Sequence, residues 1–263
     1  MTKTMPDWLL TTCRLILTVG LPIALTLTNV RLLMTPLFPQ AEYGLRAYSR
    51  VDNYPGRLPD GGRQPFTQAD RLFWATRSIA YILGEAAVGR VEDWKFSDEG
   101  RAPAGTQAPA ESCPYYGSEY GPRDCTYFYN DREVRHMLDV RAVTAGALWV
   151  WGLALVLTVA AAGLLLYAGR TATLRLGLLN GAAVTWIVLI VMVLFMAVGF
   201  NQFFTLFHRV FFTGDTWLFL WSDSLIRLFP LQFWFDAFLF VGLATLAEAG
   251  LLGALAWRGL PAK

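Results

Sequence analysis

Four long apolar blocks divide this 263-residue chain. Each approaches or exceeds the roughly 20 residues a helix needs to cross a bilayer's hydrocarbon. They run from about Leu15 to Met34, Val140 to Ala168, Leu176 to Gly199 and Phe233 to Trp257. A backbone in hydrocarbon must satisfy its own hydrogen bonds, so each block is read as a helix. No β-barrel alternation is visible. The chain is therefore expected to be an all-α integral membrane protein, a four-transmembrane-helix bundle forming one membrane domain over 1–263. Charged residues make up 16% of it, against about a quarter in soluble domains. A net charge of +2 is too small to suggest a nucleic-acid partner.

The competing reading of the first block is a cleavable signal peptide, since Lys3 and Arg14 precede it. Its apolar run exceeds the roughly 7–15-residue core of such peptides, and no small-residue cleavage site follows. Short-loop charges orient the spans. Lys3 and Arg14 at the N-terminus, Arg170 and Arg175 between spans two and three, and Arg258 and Lys263 at the C-terminus belong to one side. The positive-inside rule makes that side cytoplasmic. The loops 35–139 and 201–232 then face outward, and the first mixes both signs of charge.

The large outer loop is not uniform. Pro55 to Pro65 is rich in Gly and Pro and reads as turn. After Thr67 and Asp70, the spacing of Leu72, Phe73, Thr76, Ile79, Ala80 and Leu83 predicts an amphipathic helix ending near Gly84 or Gly89. Asp98 to Ala110 reads as a low-complexity connection. Cys113 and Cys125 flank a Pro/Gly/Tyr-rich stretch. An oxidising outer compartment would permit them to form a disulfide, with a pair of free thiols as the alternative. Cys13, at the inner edge of span one, reads as a small apolar filler.

Only two histidines occur, His136 and His208. His136 stands in a charged stretch just before span two. If that span extends outward as a helix, Asp139 is its i, i+3 neighbour. An adjacent carboxylate can fix an imidazole's tautomer and raise its basicity. His208 follows span three, so both map to one outer boundary. The bland alternative is a pair of amphipathic residues at headgroup depth. No metal-ligand spacing appears, since two histidines do not complete a zinc site.

The segment after His208 is too broken by Gly214, Asp215, Asp223 and Pro230 to span, and too aromatic for a solvated loop. Trp217, Trp221 and Trp234 suit the headgroup belt. It is expected to lie at the interface between spans three and four, with Asp215, Asp223, Arg227 and Asp236 among the rings. Such a surface suits a lipid-like substrate, though tryptophan anchoring alone would also explain the rings.

Three runs there, Phe207-His-Arg-Val-Phe-Phe212, Asp215-Thr-Trp-Leu-Phe219 and Leu225-Ile-Arg-Leu-Phe-Pro230, are followed by Phe233-Trp234. Together they resemble the signature of the bacterial lipoprotein intramolecular transacylases, a family of four-span membrane proteins. Arg135-His-Met-Leu-Asp-Val140 is similar to that family's histidine motif before the second span. The motifs cover about residues 132–141 and 203–236, whereas the region around 95–130 looks longer than the family pattern.

The resemblance implies a reaction and a place. The sn-2 acyl chain of a diacylglyceryl-cysteine lipoprotein moves to the cysteine α-amine, giving a lyso-form N-acyl lipoprotein. No cofactor is implied; the partners are the diacylated lipoprotein and membrane lipid. The place is the bacterial cytoplasmic membrane, with both termini inside and the active site outside. His136, oriented by Asp139, and His208 are the catalytic candidates, by general acid–base chemistry. Arg209, Asp215, Trp217, Arg227 and Asp236 are the substrate-binding candidates. No Gly-x-Ser-x-Gly elbow is present and Cys13 is on the wrong side, which disfavours an acyl-enzyme.

Two other classes compete. Glu248, deep in span four with no evident partner in the sequence, would suit a small ion-coupled transporter. A non-catalytic membrane adaptor would use the outer loop. Ala142/Gly146 and Ala249/Gly253 are small-xxx-small pairs that serve equally within or between chains, so oligomeric state stays open.

Overall fold

The computed structural model describes residues 5–46, 68–95, 127–220 and 223–259. Cys113, Cys125 and Trp221 lie outside the described residues, as do the turn-rich stretch 55–65 and the connection 98–110. Among the described residues the chain is helical and forms no sheet. The helices are α1 (Asp7–Leu33), α2 (Leu37–Leu45), α3 (Gln68–Ile82), α4 (Asp131–Tyr167), α5 (Thr171–Phe211), α6 (Ser224–Leu228) and α7 (Leu231–Arg258). Short 3₁₀ turns occupy Ala86–Val88 and Val91–Asp93, and Lys95 forms an isolated antiparallel bridge with Tyr127.

Four helices, α1, α4, α5 and α7, are long and apolar enough to cross a membrane. Two of them are much longer than their apolar blocks. At about 1.5 Å per residue, the 37 residues of α4 reach about 55 Å, well beyond a hydrocarbon core of about 30 Å. Helix α5 departs from helical dihedrals at Gly199, the residue that closes its apolar block, and then continues to Phe211. Its last turns, and the first turns of α4, are thus extensions of these helices beyond their apolar blocks, aromatic in α5 and charged in α4. His136 and His208 stand on these extensions.

The chain divides into two compact units. The first comprises Met1–Leu32, Gly146–Phe203 and Ala237–Lys263. Its core includes Cys13, Leu17, Ala161, Leu165 and Leu174, so Cys13 does fill apolar space. Gly177 and Gly181 of α5 let α1 come close: a Cβ at Gly181 would lie 2.7 Å from the Leu17 carbonyl oxygen and 3.0 Å from the Leu21 Cβ. Of the small residues singled out by pattern, Gly253 faces Ala182, whereas Gly146 faces open space. Glu248 has a partner that its sequence neighbourhood does not reveal. The Asn29 amide donates to its Oε2 at 2.9 Å and to Thr245 Oγ1 at 3.0 Å.

The second unit comprises Leu33–Ala145 and Phe204–Asp236. Its core is aromatic, built from Tyr43, Trp74, Tyr81, Trp94, Phe128 and Tyr129, with Val134, Met137, Leu225 and Leu228. Trp74 stacks on Phe128 with ring centroids 3.9 Å apart. Helix α3 is present where the spacing predicts it, but it turns a different face inward. Arg71, Trp74, Ala75, Ser78 and Tyr81 are buried, while Leu72 and Phe73 are only partly so. The cause is polar pairing inside the core. Arg71 Nη1 donates to the Arg227 carbonyl at 2.5 Å, and the Ser78 hydroxyl pairs with that of Tyr129 at 2.8 Å. Apolar periodicity does not register such pairs.

Candidate active site

Helix α4 begins with a reciprocal cap. The Glu133 backbone N–H donates to Asn130 Oδ1 at 3.0 Å, and the Asn130 N–H donates to Glu133 Oε2 at 2.8 Å. Glu133 is buried, and its Oε1 also accepts the Leu225 N–H at 2.6 Å. Asp223 completes the join. Its two carboxylate oxygens accept from the Asn130 amide at 3.0 Å and the Leu220 N–H at 2.8 Å. The first turn of α4 is thereby fixed to α6 and to the end of the aromatic segment.

One turn further along α4 is His136. Its ring lies over that of His208 with centroids 6.0 Å apart and planes 21° from parallel. Aromatic side chains enclose the pair. Phe212 touches both imidazoles, at 4.9 Å from His136 and 5.5 Å from His208. Phe219 meets His136 edge-on at 5.2 Å, and Trp217 lies 5.0 Å from His208. The exposures of the two histidines are 6% and 8%.

Their hydrogen bonding differs. His208 Nδ1 lies 2.7 Å from the Phe204 carbonyl oxygen. A carbonyl can only accept, so the proton sits on Nδ1 and the lone pair on Nε2. His136 Nδ1 is buried and has no hydrogen-bond partner among the described residues. Both histidines stand outside the apolar blocks, and burial holds both below the ordinary imidazole pKa. His136 is pushed down to about 3 by burial first and by its neighbour His208 second. His208 is lowered by burial, an effect its bond to Phe204 opposes. Both imidazoles are therefore neutral at neutral pH, each with a lone pair on one ring nitrogen.

The other sequence candidates are placed unevenly. No hydrogen bond joins Asp139 to His136; its Oδ2 accepts the Thr216 hydroxyl at 3.1 Å. Trp217 packs on His208 itself. Arg209 and Asp215 are exposed on the adjoining helix end and turn. Arg227 is buried on α6, held through its carbonyl by Arg71. Asp236 is drawn into an ion pair with Arg46 at 2.7 Å and accepts from Gln232 at 3.0 Å. Sequence reasoning missed Glu133, Asn130, Phe212 and Phe219. The Asn-x-x-Glu spacing before an apolar run was a readable capping signal. Among the described residues no three histidine, cysteine or carboxylate side chains gather as metal ligands.

Residues 117–234 match the family model described as lipoprotein intramolecular transacylase Lit. That stretch contains both histidines and the aromatic segment. Over it, the chain is similar to the lipoprotein intramolecular transacylases. An uncharacterized protein of Aquifex aeolicus is 31% identical over 124 residues, covering 44% of this chain and 50% of that relative. The chain thus matches about half the length of that curated relative. The fold is similar to the solved structure of the membrane-integral lipoprotein intramolecular transacylase Lit from Bacillus cereus, with a TM-score of 0.66 over 96% of each chain. Identity there is 16%, so this likeness concerns the fold alone. A histidine-to-alanine variant of the same protein gives a TM-score of 0.61, covering 95% of this chain and 92% of that one.

Proposed function

We propose that this chain is a lipoprotein intramolecular transacylase. It moves the sn-2 acyl chain of a diacylglyceryl-cysteine lipoprotein to the cysteine α-amine and leaves an N-acyl lyso-form. The observation that carries this reading is the pair of neutral, buried imidazoles 6.0 Å apart inside the family-matched region. A new C–N bond forms to the acyl carbon, the bond from that carbon to the sn-2 ester oxygen breaks, and the proton lost by the amine ends on the glycerol oxygen. Acid–base chemistry of this kind needs a group that accepts a proton and returns it. His208 Nε2 has the lone pair to take the amine's proton and, as imidazolium, returns it to the glycerol oxygen, while His136 stacked beside it can share that shuttle.

Donor and acceptor belong to one molecule, so the protein's main task is to fold the substrate into a reactive ring. Positioning can contribute roughly 7–11 kcal/mol to such reactions. No acyl-enzyme enters this scheme, and Cys13 is spent in the core of the first unit. Arg209 and Asp215, both exposed, are offered to the substrate headgroup and its α-ammonium. The same reading puts the chain in the bacterial cytoplasmic membrane with both termini inside and the histidines on the outer side.

The test is mass spectrometry of a synthetic diacylated lipopeptide before and after exposure to the purified protein in lipid. The total mass should stay constant while fragments show an acyl group moved from glycerol to nitrogen. A product that gained or lost an acyl chain, or full activity in His136→Ala, would overturn the reading.

A further inference from the structure

Arg132, His136 and Asp139 recur at i, i+4 and i+7 and so share one face of α4. Each meets the same short segment. Arg132 Nη1 donates to the Leu218 carbonyl at 2.8 Å, Phe219 packs on the His136 ring, and Asp139 accepts the Thr216 hydroxyl. Just before this segment the chain turns at Gly214, whose φ of 75° lies in the left-handed region that suits glycine. Trp217 Nε1 donates back to the Gly214 carbonyl at 3.2 Å, and its ring lies against His208.

We infer that Asp139 is a positioning residue for the aromatic segment rather than a partner of His136. By accepting the Thr216 hydroxyl it seats Trp217 and Phe219 on the two imidazoles and keeps bulk water from them. Arg132 holds the next carbonyl in the same way, so three successive turns of one helix carry both a histidine and the clamps that cover it. The carboxylate's hydrogen bond goes to a hydroxyl on the covering segment, and none joins it to His136. The consequence for acyl transfer rests on the transacylase reading, but the clamping itself does not.

The chain's two histidines are its only ones, so diethyl pyrocarbonate can report on the cover directly by peptide mapping. Losing a hydrogen bond to a charged acceptor should raise carbethoxylation of His136 and His208 roughly tenfold in Thr216→Val and Asp139→Ala. Thr216→Ser and Asp139→Asn keep a hydroxyl and an acceptor, and should label within about twofold of the parent. Parental labelling in Thr216→Val would overturn the inference, and so would equal acceleration in Thr216→Ser. In acyl transfer, Thr216→Val should lower kcat more than it raises KM, with Thr216→Ser restoring kcat. A parent protein that labels slowly yet transfers no acyl chain would refute the enzymatic reading while leaving the clamp intact. Rapid labelling of the parent would refute the clamp.

Discussion

The molecule buries polar groups in two places, and it treats them differently. In the first unit, the Asn29 amide reaches the Leu25 carbonyl, Thr245 and Glu248, so a polar cluster among spanning helices is internally bonded. In the second unit, His208 is bonded but His136 Nδ1 has no partner among the described residues. Leaving a buried polar atom unbonded costs about 1–3 kcal/mol. A fold tolerates such a cost mainly at functional sites. Polar burial as such therefore does not mark a site, nor does an unbonded atom alone, since Thr158 Oγ1 of the first unit also lacks a hydrogen-bond partner among the described residues. An unbonded imidazole nitrogen beside a second buried imidazole does.

The sharpest way to break this contrast is to remove the imidazoles. His136→Ala and His208→Ala should each lower acyl transfer roughly 10²–10⁴-fold, the usual contribution of a general acid or base. Neither should unfold the protein, since neither ring belongs to the aromatic core that holds the second unit together. Wild-type rates in both variants, measured on the diacylated lipopeptide, would move the site elsewhere.

Next in size is Glu133, a buried group of the second unit that does find its partners. Glu133→Ala strips acceptors from the Asn130 and Leu225 N–H groups. Its loss should cost about 2–3 kcal/mol, read as a lower thermal midpoint in detergent. Activity per folded molecule should fall too, because α4 and α6 would separate. An unchanged midpoint would show that the cap and α6 are held by other means.

Acid should reach the second unit first. An imidazole held below its ordinary value stabilises the fold fully above pH 6.5, its unfolded value, and that stability drains as pH falls toward about 3 for His136. Between about pH 7.5 and about pH 5.5 the loss is about 1.4 kcal/mol for His136. His136→Phe keeps a ring in the aromatic enclosure and should flatten the dependence of the thermal midpoint on pH by that share. A slope equal to the parent's would mean that His136 is already wet.

Much of this was legible beforehand because bilayer physics writes in long blocks. The four spans could be counted from apolar runs alone, and the residue closing the third run, Gly199, is where α5 breaks. The two histidines could be paired from topology and motif. What pattern reading could not give was the depth of polar residues. It set α3 by its apolar stripe, whereas Arg71 and Ser78 are drawn inward by a carbonyl and a hydroxyl contributed by distant chain. For the same reason it gave Asp139 to its sequence neighbour His136. The actual partner, Thr216, is 77 residues away. Hydrogen bonds of that range leave no periodic trace.

Glu248 returns the comparison to the first unit with the smallest effect. Its depth among apolar residues would make it the essential acid of a transporter, yet its bond to Asn29 makes it part of a helix-to-helix pin between α1 and α7. Interhelical hydrogen bonds in membranes average only about 0.6 kcal/mol. Glu248→Gln, which keeps an acceptor for the Asn29 amide, should leave acyl transfer within about twofold and the midpoint almost unmoved. Glu248→Leu should lower the midpoint slightly by leaving one hydrogen of that amide to its other neighbours. Loss of acyl transfer in Glu248→Gln with a normal midpoint would reverse the assignment. The satisfied cluster would then be part of the chemistry, and bonding within the fold would no longer separate the two polar regions.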